Sequence, residues 1–273
     1  MRLEPILRRF PLAVDLGARN GAFDAALSQS EARQKVDLLI QADQSMAMLA
    51  NQGGTRLVLD EEALPFAPQS LDLITSSLAL HWTNDLVGVL IQIRQALKPD
   101  GLFLGAMFGG DTLTELRQSL IAAEAELTSG AGPRVSPFAV AYDGAGLLQR
   151  SGFALPVADL DRVTVRYSHP LKLLADLRAM GETNVMLDRS RKPLTRAVLA
   201  RAFAIYQARF GAPDGKIPAT FEILTLTGWA PHPDQQQALR PGSAKMRLAD
   251  ALKSTERSAG EAARPPSPKP PEA

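Results

Sequence analysis

The 273-residue sequence contains no cysteine, which excludes disulfide bonds and thiolate metal sites. A reducing compartment is therefore compatible with the chain. Histidine is also scarce: the three copies, His81, His169 and His232, lie far apart along the sequence. Because no two of them have the spacing of a helical metal motif, the sequence predicts no metal site.

An excess of charge of one sign is absent as well, since 30 lysines and arginines stand against 29 acidic residues. This balance gives no indication of a nucleic-acid partner. The chain also lacks an apolar run of membrane-spanning length, and its first ten residues lack the apolar core of a secretory signal. The composition predicts a cytoplasmic protein without a transmembrane segment, and nothing in it indicates an oligomeric state.

The first half of the chain alternates short aliphatic runs with helical patterns, which is typical of βαβ units. The runs are nearly all apolar, as expected for parallel strands covered on both faces. Strands are predicted at residues 12–17, 37–43, 56–60, 71–78 and 102–108. The first half therefore predicts an open, Rossmann-like α/β sheet.

Two helices of this half have recognisable ends. Asn84 and Asp85 are alternative N-caps for a helix whose apolar face includes Leu86 and Leu90, and the turn residues 98–101 end it. Thr112–Glu115 has the pattern of a capping box and predicts the start of the next helix.

The second half has a different order of elements. It predicts a helix over 143–151, a strand over 157–167, helices over 171–180 and 194–210, and a final strand over 219–227. Two helices thus separate the last two strands, so we expect a helical insertion at residues 168–216. From Lys253 the composition becomes rich in proline and charge, which predicts a domain over 1–252 and a disordered tail over 253–273.

A glycine turn follows the first predicted strand, in the run Asp15-Leu16-Gly17-Ala18-Arg19-Asn20-Gly21. Gly17 allows a sharp turn and Gly21 precedes a helix N-terminus, so Asp15, Gly17 and Gly21 are candidate cofactor-binding residues. The usual nucleotide loop has a third glycine where this sequence has Arg19. A tight turn without any ligand is the alternative.

Carboxylates follow the next two predicted strands. Asp43 ends the second strand, about 20 residues after the loop, where such folds hold both ribose hydroxyls. Capping of the helix that starts at Ser45 is its alternative role. Asp60 and Glu61 end the third strand and are candidates to accept a hydrogen bond from an adenine amine, with a solvated turn as the alternative.

The fourth strand ends in the run Ser76-Ser77-Leu78-Ala79-Leu80-His81-Trp82. The backbone near Ser77 is expected at the reacting end of a cofactor, and His81 and Trp82 are expected to line an acceptor pocket. His81 is a candidate base, although a lone histidine is more often structural.

The segment Asp43-Gln44-Ser45-Met46-Ala47-Met48-Leu49 resembles the D-x-S-x-x-M-L motif of methyltransferase type 11 proteins, which are class I S-adenosylmethionine (SAM) methyltransferases. That resemblance implies that Asp43 binds the SAM ribose, and the neighbouring Gln44 and Ser45 are further candidate cofactor-binding residues. Further segments continue the pattern: Glu62–Phe66, Leu71–Ile74 and Leu97–Gly101.

Later motifs resemble a narrower family, the mitochondrial complex I assembly factor 5 proteins and their alphaproteobacterial relatives. They are Phe108–Arg117, Ser136–Phe138, Met180–Asn184, Ile217–Phe221 and Arg240–Ala244. The resemblance implies a SAM-binding protein needed for assembly of respiratory complex I. The activity it implies is hydroxylation, rather than methylation, of an arginine in the quinone-side iron–sulfur subunit. Such a role is also compatible with a location at the inner face of the cytoplasmic membrane. The neighbouring malonyl-carrier-protein methyltransferases share the first half.

Two departures from the family pattern stand out. Arg19 replaces a loop glycine, and the N-terminal helical stretch of the family is not seen before the first strand, so either the start is misassigned or a cofactor lid is absent.

Three functions therefore remain open at this level. The first is a SAM-dependent methyltransferase, whose chemistry needs positioning more than acid–base groups. The second is an arginine hydroxylase, although two histidines and a carboxylate for non-haem iron are not evident. The third is an assembly factor with a vestigial SAM site.

The inserted loop carries a candidate for acceptor recognition. It presents Glu182 and Asn184, a carboxylate and an amide suited to a guanidinium, with helix capping as the alternative.

Overall fold

The computed structural model describes residues 2–128, 130–136, 144–187, 189, 193–235, 246, 248–255 and 260. The chain divides into two compact units, residues 1–233 and 234–273. In the second unit a helix of the described part runs over Leu248–Leu252. The predicted motif 240–244 and most of the proline-rich tail lie outside the described residues.

The first unit contains a seven-stranded sheet. Its strands are β1 (Phe10–Leu16), β2 (Val36–Asp43), β3 (Thr55–Val58), β4 (Leu71–Ser77), β5 (Leu97–Phe108), β6 (Ala154–Tyr167) and β7 (Ile217–Trp229), in the order β3-β2-β1-β4-β5-β7-β6. β1 to β5 are parallel, and β7 is antiparallel to both of its neighbours. The predicted Rossmann-like α/β class, with the sheet order of class I methyltransferases, is confirmed.

Helices cover both faces of this sheet. They are α1 (Ala22–Ser28), α2 (Met46–Leu49), α3 (Leu86–Ala96), α4 (Thr114–Leu127), α5 (Gly144–Arg150), α6 (Pro170–Ala179) and α7 (Arg196–Phe210). Alternate residues of one strand enter different cores: Val14 packs with the α3 side, and Ala13 with the α1 side. Double coverage explains why the central strands are almost wholly apolar.

The predicted helical insertion is also confirmed, because α6 and α7 lie between β6 and β7. They pack with α4 around the buried Leu173 and Tyr206, and the Tyr206 hydroxyl donates to the Pro218 carbonyl at 2.7 Å. β6 is one of the two edge strands, and its Val163 and Val165 are exposed. No helix of the described residues is both long and apolar enough to span a membrane.

The capping box predicted at Thr112–Glu115 is wrong. Helix α4 starts one residue later than that box requires, behind Leu113, and no side chain caps it. The Thr112 hydroxyl instead exchanges hydrogen bonds with the backbone of Glu222, and the Glu115 carboxylate accepts from the N–H and hydroxyl of Thr220. Contacts with β7 therefore replace the local capping pattern.

The turn predicted over residues 98–101 lies inside β5. The pairing of β4 with β5 shifts between Leu71 and Leu73, so that these residues bulge from the ladder, with Asp100 at φ +59°. At the other end of α3 the choice of cap is resolved, since the Asp85 carboxylate accepts from Gly88 N at 2.8 Å.

Candidate functional site

The turn from β1 to α1 is built on glycine. Gly17 has φ +67°, and a Cβ atom there would lie 2.2 Å from Cβ of Ala79, in the segment that follows β4. Gly21, at φ +76°, is the N-cap residue of α1. Two neighbouring strand ends therefore touch at Gly17, where a side chain would force them apart.

Asp43 connects the loops that follow β1 and β2. Its Oδ2 accepts from Arg19 N, and its Oδ1 accepts from Ser45 N, both at 2.8 Å. The N-cap of α2 is Ser45, whose hydroxyl accepts from Met48 N. Asp43 thus connects the two loops by hydrogen bonds. It also lines a cavity.

The acids after β3 lie beside Asp43. Asp60 Oδ1 accepts a hydrogen bond from Glu62 N at 2.9 Å. The same oxygen accepts a longer one from Gln44 Nε2 at 3.4 Å. Burial raises the pKa of the Glu61 carboxyl, and the nearby Asp43 and Asp60 raise it further. Such a cluster favours a ligand that offers hydroxyl or amine donors.

These strand ends surround a cavity of about 520 Å³, within the roughly 300–1,000 Å³ typical of small-ligand sites. We call it the strand-end cavity. Of the residues predicted from the sequence, Gly17, Asp43, Gln44, Ser45, Asp60, Glu61 and Trp82 line it. Arg19, Met48, Thr83, Asn84, Met180 and Gly181 line it as well and were not predicted.

Asp15, Gly21 and Ser77 were predicted to bind the cofactor but do not line this cavity. Asp15 is buried in β1, where the Thr75 hydroxyl donates to it at 2.9 Å. Ser77 lines a smaller cavity with Leu3 and Thr75. Side chains alternate along a strand, so Ser77 shares the face of Thr75, away from the strand-end cavity.

Residues from three segments meet above β1 and β4. Arg19 donates from one guanidinium nitrogen to Glu182 Oε1 at 3.1 Å and from another to the Met180 carbonyl at 2.9 Å. The other oxygen of Glu182 lies 3.3 Å from His81 Nε2. The His81 ring contacts Trp82 and Phe108. Glu182 is thus an internal partner of Arg19 and His81.

A larger cavity, of about 810 Å³, lies between α4 and the insertion. We call it the insertion cavity. Its lining includes Trp82, Glu182 and Asn184, together with leucines of α4 and α6 and with Arg134, Arg178 and Arg189. The Asn184 amide donates to the Pro133 carbonyl, and its oxygen accepts from Met186 N. Trp82 lines both cavities, which places it at their boundary.

The three histidines do not form a cluster of metal ligands. His169 is the N-cap residue of α6, far along the chain from His81. Within the described part of the chain, no three histidine, aspartate or glutamate side chains are placed to hold a metal ion.

Known proteins resemble this chain over most of its length. The family model described as a methyltransferase domain matches residues 14–105. The zebrafish (Danio rerio) protein named arginine-hydroxylase NDUFAF5, mitochondrial, is 41% identical over 92% of this chain and 78% of its own length. The human (Homo sapiens) protein of the same name is 41% identical over 89% of this chain and 70% of its own length.

A malonyl-[acyl-carrier protein] O-methyltransferase from Xylella fastidiosa is 35% identical over 82% of this chain and 75% of its own, so that likeness extends beyond the first half.

The fold is shared with solved structures. The YcgJ protein of Bacillus subtilis superposes with a TM-score of 0.56 at 14% identity, over 85% of this chain and 97% of its own. The sheet order, the strand-end cavity and the sequence identity over most of the chain support the same assignment. The chain belongs to the NDUFAF5 arginine-hydroxylase family and has the fold of a class I methyltransferase.

Proposed function

We propose that this chain binds SAM in the strand-end cavity and modifies an arginine side chain of a respiratory complex I subunit. Hydroxylation, the activity in the names of its relatives, is the reaction we expect. The observation that carries the proposal is the meeting of two cavities at Trp82, one lined by strand-end carboxylates and the other by the helical insertion.

The residues of the strand-end cavity fit a nucleoside. Asp43 offers carboxylate oxygens for ribose hydroxyls, and Asp60 or Glu61 offers oxygens for an adenine amine. Gly17 leaves room for close approach of the backbone. When bound, SAM supplies a sulfonium centre with an electrophilic methyl group.

Hydroxylation requires a different source of the added atom. Insertion of oxygen into a C–H bond by dioxygen needs two reducing equivalents and releases the second oxygen as water. The chain's own contribution is to hold the arginine and exclude water. Trp82 lines both cavities, and Glu182, which lies 3.3 Å from His81 Nε2, lines the insertion cavity, whereas His81 itself lines neither. A separate two-electron donor must supply these reducing equivalents together with two protons.

Methylation is the second candidate. The match of residues 14–105 to a methyltransferase domain and the fold both favour it. Methyl transfer from a sulfonium depends mainly on in-line positioning, so it needs no catalytic triad. The third candidate, an assembly factor that no longer uses SAM, predicts that the purified chain does not bind SAM in calorimetry.

Mass spectrometry of complex I from a strain that lacks this gene tests the proposal. The arginine-bearing peptide of the quinone-side iron–sulfur subunit should lose the mass of one oxygen atom relative to the parent strain. Loss of one methylene mass instead would establish methylation. An unchanged peptide, in a strain whose complex I is still poorly assembled, would contradict both enzymatic functions.

A further inference from the structure

We infer that Glu182, supported by His81, together with the Met180 carbonyl, forms the seat for the guanidinium of the acceptor arginine, and that Arg19 occupies this seat until the acceptor arrives. This guanidinium seat rests on the proposed function, because it assigns recognition of the modified arginine to named residues.

A guanidinium is already bound there. Two nitrogens of Arg19 donate to two acceptors that are two residues apart in the chain, the Met180 carbonyl at 2.9 Å and Glu182 Oε1 at 3.1 Å. A planar fork of donors matches such a pair of acceptors, whereas an ammonium group provides a point charge. The acceptors therefore form a site selective for arginine over lysine.

The carboxylate of this pair is more deeply buried than the cation. Glu182 has 7% of its side chain exposed, and the His81 side chain that contacts it has 3% exposed. Arg19 has 29% exposed and extends from a loop at φ +48°. A buried carboxylate is costly without a cation, so one guanidinium should be exchanged for another rather than removed.

The other side of Glu182 faces the insertion cavity. Glu182 and Trp82 both line that cavity, so an arginine side chain held there can reach the carboxylate, and Trp82 offers an aromatic face for stacking. Arg134 in the same wall is paired with Glu124 at 2.6 Å, and Arg178 and Arg189 add positive charge. This charge favours an acceptor segment with acidic residues next to its arginine.

Removal of Arg19 should expose an empty guanidinium seat. Arg19→Gly is the suitable variant, because glycine adopts the φ of +48° without strain. N-ethylguanidine, a copy of the end of an arginine side chain, should bind this variant in calorimetry at least about tenfold more tightly than it binds the wild type. Ethylamine, which carries a point charge, should show no such gain.

The double variant Arg19→Gly/Glu182→Gln is the matched control and should lose the gain. Arg19→Lys, which keeps a cation near Glu182, should bind N-ethylguanidine more weakly than Arg19→Gly does. Failure of folded Arg19→Gly to bind better than the wild type would overturn the inference, as would equal binding by the double variant. Should Arg19→Gly not fold, Arg19→Asn, an uncharged residue that tolerates this φ, gives the same comparison.

The effect of each variant on KM for the acceptor distinguishes two roles of Arg19. Either the acceptor arginine displaces Arg19 from Glu182, or Arg19 stays bound there and only holds the loop in place. With the complex I subunit as acceptor, Arg19→Gly should lower KM for the acceptor, since no internal cation competes, and Glu182→Gln should raise it. A rise in KM for Arg19→Gly would show that the pair only clamps the loop, and would also overturn the inference. Binding of N-ethylguanidine does not depend on turnover. If N-ethylguanidine binds Arg19→Gly as expected but no modified arginine is found in complex I, only the proposed function is refuted.

Discussion

Arg19 departs from the glycine usual at the middle of the first loop, and its backbone has φ +48°. A non-glycine residue in this region carries a cost of about 1 kcal/mol. Asp43 accepts from its N–H, the Gln52 amide donates to its carbonyl, and its side chain bonds to the insertion. The position is therefore held by contacts on every part of the residue, and the cavity beside it stays open.

Asp43→Ala should weaken SAM binding. Each hydrogen bond to a carboxylate contributes about 1.5–3 kcal/mol, so loss of the ribose contacts should reduce affinity at least about tenfold in calorimetry. Asp43→Asn keeps one acceptor oxygen and should have a smaller effect.

Asp37→Ala is the control for this comparison, because Asp37 lies on the same strand but is exposed and pairs with Arg9. It should leave SAM affinity unchanged. Equal affinities for Asp43→Ala and the wild type would remove Asp43 from the site.

Asp15 should make stability depend on pH. Burial raises the pKa of its carboxyl to about 7, against the hydrogen bond from Thr75, which lowers it. The folded state thus holds the proton more tightly than the unfolded chain. The contribution of this carboxyl to the free energy of unfolding is fully present below about pH 4. It is lost as the pH rises through about 7.

Asp15→Asn cannot ionise, so its stability relative to the wild type should rise between about pH 4 and pH 7, by about 2–4 kcal/mol. Urea unfolding across this range measures the difference. Parallel curves for Asp15→Asn and the wild type would show that Asp15 is ionised in the folded state.

At the scale of elements, the β1–α1 loop and the segment after β4 form one packed unit. Gly17→Ala should break it, because the new Cβ would lie 2.2 Å from Ala79 and the residue has φ +67°. Backbone strain and overpacking together should cost about 2–4 kcal/mol, and SAM binding should fall with the distorted cavity wall.

Gly146→Ala gives the opposite expectation. Gly146 lies in α5, and a Cβ there would meet nothing within 4 Å. The substitution should raise stability by about 0.5–1 kcal/mol in thermal or urea unfolding, since alanine is the better helix former. Tolerance of Gly17→Ala to the same degree would contradict the close contact of the two strand ends.

At the scale of the whole molecule, the last residues should be dispensable for folding. Residues 253–273 include Pro265, Pro266 and Pro268, which suit neither a helix interior nor a central strand. A chain that ends at Leu252 should melt at the same temperature as the full chain. A drop of several degrees in a thermal melt would show that the tail contributes to the stability of the fold.

The sheet, the insertion and the cluster of acids were readable in the sequence, because each depends on local pattern. Short apolar runs predicted the strands of the first half to within a few residues, with the exception of β5, which starts five residues early. Asp43, Asp60 and Glu61 were predicted to converge because the carboxyl ends of parallel strands meet at one edge of a sheet.

Other features depend on contacts between distant parts of the chain. Arg19 and Glu182 are 163 residues apart, and neither sequence context indicates the other as its partner. Thr112 and Glu115 have a capping pattern that is overridden, because β7 offers backbone groups to both side chains. Local pattern fixes which segments become strands and helices. The partner of a buried charge is decided by which segments pack against it, and that follows only from the folded arrangement.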